Sequence, residues 1–210
     1  MSRALERMPM TCGQRPLGRV LPPCLLLLLW CLVAPLPLPA EQPENTRSED
    51  KAYLLWQEGY LLHVLGHYDK AIEVFGKSIA AYPTAEAHTF RGWSLSMVGR
   101  LNEAITDCKR AIVLDPDYGN PYNDIGVYLI DLGQTDEAIP WLRKAMEAKR
   151  YCCYQYPHFN MGRVLVMQGR LTEARDAFER ALAHEPDYLP ARKALEYLRE
   201  HMRENGQQKI

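Results

Sequence analysis

The stretch Gly99-Arg100-Leu101-Asn102-Glu103-Ala104-Ile105, continued by Cys108, Ala111, Ile112 and Pro116, decides how this chain folds. Its apolar residues recur at intervals of three and four, the period of a helix with one buried face. Gly99 opens it with a residue that tolerates the left-handed turn between two helices. Pro116 stops it. The same punctuation is repeated along the chain. Glycines stand in pairs seven apart, at Gly59/Gly66, Gly92/Gly99, Gly126/Gly133 and Gly162/Gly169. Five residues after each second glycine comes Ala71, Ala104, Ala138 or Ala174, and four later Phe75, Cys108, Leu142 or Phe178. A small residue follows at Ser78, Ala111, Ala145 and Ala181, and three units close with Pro83, Pro116 and Pro186. The second glycines lie 33, 34 and 36 residues apart (66 to 99, 99 to 133, 133 to 169).

Each position has a physical reason. The first glycine and the small alanine let the two helices of a hairpin approach closely. The second glycine ends the first helix, and the proline ends the second. One hairpin cannot bury its apolar stripe alone, so successive hairpins must stack into a solenoid. The pattern resembles the tetratricopeptide repeat family, most clearly at Gly99–Ile105 and at Ala181-Leu182-Ala183-His184-Glu185-Pro186-Asp187-Tyr188. The resemblance covers residues 52–188. It implies an all-α, right-handed superhelical solenoid of antiparallel helix pairs, in four units at 52–84, 85–118, 119–154 and 155–188. Residues 189–205, with Ala191, Ala194, Leu195, Leu198 and Met202, read as a solvating cap helix, and 206–210 as a disordered tail. Two departures stand out. Unit three carries Pro140 inside its second helix, where proline costs about 3 kcal/mol unless the helix begins late or kinks. It also lacks the closing proline and runs instead through Lys149-Arg150-Tyr151-Cys152-Cys153-Tyr154-Gln155-Tyr156-Pro157.

The first forty residues are different material. Arg3, Arg7, Arg15 and Arg19 precede the apolar run from Cys24 to Ala34, and a Pro-Leu-Pro-Leu-Pro-Ala stretch follows. That order is the one found in a secretory signal peptide, with cleavage expected after Ala40. The apolar run is shorter than the roughly 20 residues that span a bilayer. Two other readings stay open: lipidation at Cys24 or Cys31, and an uncleaved membrane anchor. All three deliver the folded part out of the cytosol, and membrane contact is expected only through this segment, if it is uncleaved or lipidated. Residues 41–51 read as a polar linker.

With 25 basic and 26 acidic residues the chain has no nucleic-acid footprint of charge. Its 47% hydrophobic content supplies a core. It contains no nucleophile elbow, phosphate loop or His-Glu-x-x-His pattern, and no cofactor or metal site is expected. Cys152, Cys153 and His158 fall short of zinc spacing. In the family the first helices line a concave groove that holds a segment of a partner protein. Carried over, this nominates Tyr53, Trp56 and Tyr60 in unit one, Phe90 and Trp93 in unit two, Asn123 and Asp124 in unit three, and Phe159, Asn160 and Arg163 in unit four. So many aromatics on a solvent-facing curve point to a binding surface, although each is equally able to pack between helices. Asn123 and Asn160 are suited to grip a peptide backbone by donating and accepting at once, or to cap their own helices. The family's carboxylate clamp for chaperone tails is missing: Trp56 and Tyr60 occupy its first places, and Thr89 or Phe90 the next. The reading is a non-enzymatic protein-interaction scaffold outside the cytosol. Two alternatives are a lipoprotein-type assembly factor for pilus or secretion machinery, and a thiol-dependent redox or cross-linking role for Cys152 and Cys153.

Overall fold

The computed structural model describes residues 44–207, so the readings of the leader, residues 1–40, lie outside it. The described residues form nine helices and no strand: α1 (Glu44–Val64), α2 (Tyr68–Ala81), α3 (Ala85–Met97), α4 (Leu101–Leu114), α5 (Gly119–Asp131), α6 (Thr135–Glu147), α7 (Gln155–Met167), α8 (Leu171–His184) and α9 (Leu189–Gln207). Eight of them pair in sequence into hairpins, each stacked on the next, with α9 packed on α8. The result is an all-α helical repeat solenoid. Helix α1 begins at Glu44, within the segment read as a polar linker, and α9 runs on to Gln207.

The repeat markers do the work their chemistry suggests. Gly66, Gly99, Gly133 and Gly169 all take positive φ, between 73° and 81°. In each hairpin the next amide reaches back five residues, as in Arg100 N–H to Leu95 O at 2.9 Å, closing the helix end. The first glycines serve a different purpose. A Cβ on Gly126 would lie 2.5 Å from the Leu142 side chain, and one on Gly162 would collide with the Phe178 ring. Close approach there lets Ala71, Ala104, Ala138 and Ala174 bury completely against the facing helix. Cys108 is also fully buried and fills its site as a small apolar residue. Pro140 sits inside α6, neither delaying the helix nor ending it.

First helices touch one another directly in series, α1 to α3, α3 to α5 and α5 to α7. A row whose members touch past the intervening second helices lies on the inside of the bend, so this row forms the concave wall. The joint between units three and four is irregular. Residues after α6 run beside the connection that precedes α5: Arg150 N–H donates to Asp117 O at 2.9 Å, and Gly119 N–H donates to Arg150 O at 3.2 Å. A Cβ on Gly119 would lie 2.5 Å from Tyr151, which is why the chain has glycine at that crossing.

Candidate functional site

The nominated aromatics divide into two groups. Phe90 and Trp93 are buried, at 4% and 8% exposure, in a cluster with Ala71 and Phe75. The Phe90 ring stands edge-on to both Trp56 (5.4 Å) and Tyr60 (5.5 Å). These two are half-buried and stacked at 5.7 Å, and Tyr53 extends the stack onto open surface. The expected solvent-facing aromatic set is thus a partly exposed rim of Tyr53, Trp56 and Tyr60 on α1, laid over a core of Phe90 and Trp93. Phe159 is half-buried, between Phe178 and Tyr188 at 5.4 Å from each.

The polar residues come together across α5 and α7. Asn160 Nδ2 donates to Asn123 Oδ1 at 3.0 Å, and Arg163 donates to Asn160 Oδ1 at 3.1 Å. Asn123 Nδ2 in turn leans toward Asp124 at 3.5 Å, the outer limit of a hydrogen bond. Both asparagines are buried, while Arg163 and Asp124 remain part-exposed beside them. A charged guanidinium and a carboxylate therefore flank an amide pair on the concave wall. Asp131 lies 3.9 Å from Arg163 on the same side.

Two polar groups outside the nominated set, His63 and Asp107, are buried. His63 Nδ1 pairs with Ser94 Oγ at 2.9 Å, and burial lowers its pKa to about 4, so the ring is neutral. Asp107, 3% exposed on α4, takes two bonds from Arg91 (2.6 and 2.7 Å) and one contact from His88 at 3.1 Å. Burial works to raise its carboxyl, but the bonds from Arg91 and His88 outweigh that and hold it below the usual value. Periodicity carried the signal for Asp107, a carboxylate one residue before Cys108 on the inward face. Arg150 had no such signal. It bonds Glu86 (2.7 Å) and Asp115 (2.6 Å) and lies over the Tyr118 ring at 4.1 Å. Among the described residues no group of three or more His, Cys, Asp and Glu could hold a metal ion, and no helix is long and apolar enough to cross a membrane.

Comparison with known proteins agrees with this architecture. Models of the tetratricopeptide repeat match residues 57–119, 120–152 and 155–188. The chain is 33% identical over 98 residues to the small glutamine-rich tetratricopeptide repeat-containing protein 2 of Mycosarcoma maydis, covering 46% of this chain and 28% of that one. It thus spans less than a third of that relative's length. Among solved structures it is similar in fold to PilF of Pseudomonas aeruginosa, with a TM-score of 0.70 at 19% identity, covering 77% of this chain and 72% of the other. It is also similar to PilW, a type IV pilus biogenesis factor, with a TM-score of 0.66 at 20% identity, covering 71% and 69%. At these identities the likeness to both structures is one of fold.

Proposed function

This chain belongs to the tetratricopeptide repeat family of protein-interaction scaffolds, and on that premise we propose that it is a non-enzymatic scaffold acting outside the cytosol, holding an extended or helical segment of a partner protein along its concave wall. The observation that carries this reading is the pairing of two unlike surfaces on that wall. The aromatic rim of Tyr53, Trp56 and Tyr60 offers stacked, partly exposed rings on α1. Arg163 and Asp124 offer opposite charges beside a rigid amide pair on α5 and α7. A segment lying across the wall would bury apolar side chains on the rim and place backbone or carboxylate oxygens toward Arg163. Rings and arginines of this sort carry most of the binding energy at protein interfaces.

Export is supported by the leader's order of charge, apolar run and small residue. A second reading, an assembly factor for pilus or secretion machinery, is favoured by the fold likeness to PilW.

The test is site-specific photo-crosslinking in the full chain. Photoreactive residues at Tyr53, Tyr60 and Arg163 should yield the same crosslinked protein, and one at Lys109 on the second-helix side should not. Equal crosslinking from Lys109, or crosslinks from Lys109 alone, would move the binding surface off the concave wall.

A further inference from the structure

Cys152 and Cys153 are adjacent in the irregular joint, with their sulfurs 3.0 Å apart. Cys152 is exposed to solvent, whereas Cys153 is buried among Tyr122, Ala145, Ala148 and Tyr151. We propose that this pair is a thiol–disulfide exchange site, which takes a small-molecule or protein disulfide as substrate and closes into a ring between the two neighbouring residues.

The surroundings define the chemistry. An incoming disulfide can approach Cys152 but not Cys153, so the order of events is set. The Cys152 thiolate attacks one sulfur of R–S–S–R, forming a mixed disulfide and releasing one RS⁻. The Cys153 thiolate then attacks Cys152 Sγ, forming the ring and displacing the second RS⁻. The two protons lost from the cysteines end on the two released thiolates. The balance is two protein thiols and one disulfide giving one protein disulfide and two free thiols.

Ring closure needs little travel, since the sulfurs stand only about 1 Å beyond the roughly 2.05 Å of a covalent bond. The α-carbons, joined by one trans peptide, are about 3.8 Å apart, below the usual disulfide range of roughly 4.4–6.8 Å. The ring is therefore strained and easily reduced, which makes the exchange reversible.

Before the pair Arg150 is held by backbone bonds to Asp117 and Gly119, and after it Tyr154 is held by its hydroxyl to Ala148 O at 2.8 Å. Cys153 O accepts from Tyr156 N–H at 3.1 Å, in the opening turn of α7. Through that bond the Cys152–Cys153 peptide adjoins α7, the helix that carries Phe159, Asn160 and Arg163.

Oxidised glutathione is the probe, added to the full reduced chain, with trypsin digestion and mass spectrometry as the readout. Cleavage after Arg150 and Arg163 places both cysteines in one peptide, residues 151–163, away from the other four. That peptide should lose two hydrogens and carry no glutathione. In Cys153→Ser the same peptide should stop at the glutathione adduct on Cys152, and helical content by circular dichroism should stay unchanged. A wild-type peptide that keeps the glutathione adduct, joins to a second chain or does not react would overturn the proposal.

Discussion

Asn123 and Asn160, thirty-seven positions apart, share a buried hydrogen bond of 3.0 Å between two successive units. It is neither an open grip for a peptide backbone nor a local helix cap, the two roles that their amides suggest in isolation. Instead the pair fixes α5 against α7 and presents Arg163 from a rigid footing. On the proposed function, the residues that would touch a partner therefore differ from those that hold the wall in place.

This division can be measured. Asn123→Ala leaves a buried Asn160 donor without its acceptor and should cost about 1–3 kcal/mol in urea unfolding. Asn160→Ala should behave alike. Because both changes remove one bond, the double variant should cost clearly less than their sum. Additive losses would mean that the amide bond is not what couples these helices.

Acid should loosen the solenoid in a defined window. His63 has a folded pKa of about 4 against an unfolded 6.5, lowered by burial. A depressed histidine contributes stability that is present above about pH 6.5 and is lost as pH falls toward 4. His158 follows the same rule, with burial, His184 and Arg180 lowering it to about 4. The expected loss from His63 is about 2–3 kcal/mol across that window. His63→Phe should flatten the pH slope there, read from urea midpoints at pH 7.5, 5.5 and 4.5. Asp107 acts lower: its stabilisation is present above 3.8 and fades as pH falls further.

Two kinds of glycine should fail in two ways. Gly162→Ala drives a methyl into the Phe178 ring, and overpacking of this kind costs about 1–3 kcal/mol. Adding Phe178→Leu should restore part of the loss. Gly169→Ala meets nothing within 4 Å, yet its φ of 73° disfavours any side chain. That variant should lose about 1 kcal/mol, and no change of neighbour should rescue it. Thermal melts of the three variants decide the matter.

Arg150→Lys retains the charge but not the fork that serves Glu86 and Asp115, nor the flat face over Tyr118. A loss of about 1 kcal/mol is expected from exposed pairs plus one ring contact. The difference between wild type and variant should shrink in 1 M salt, which weakens solvent-exposed ion pairs. A salt-independent difference would point to the ring contact alone.

The hairpins were legible because Gly66, Gly99, Gly133 and Gly169 mark turns that depend only on local backbone. Much less of the site could be read. Periodicity gives the face of a helix on which Phe90 and Trp93 lie, but not that this face closes over Phe75. The bond between Asn123 and Asn160, and the reach of Arg150 to Glu86 sixty-four positions away, depend on how units stack. Stacking geometry is set by side-chain volumes at many positions together, and the repeat spacing does not record it. The lengthened joint was visible as 36 residues where its neighbours have 33 and 34; its pairing with the loop before α5 was not.

In a solenoid of independent links, fraying from either end would advance one hairpin at a time. Arg150 lies near the end of unit three yet is tied to Glu86 at the start of unit two. An unzipping front that enters from α9 and passes α7 must break this tie to the preceding hairpin before it can release unit three. Units two and three are thus coupled by about 1 kcal/mol beyond their helix packing, and mechanical pulling on the chain should show that coupling weaken in Arg150→Lys.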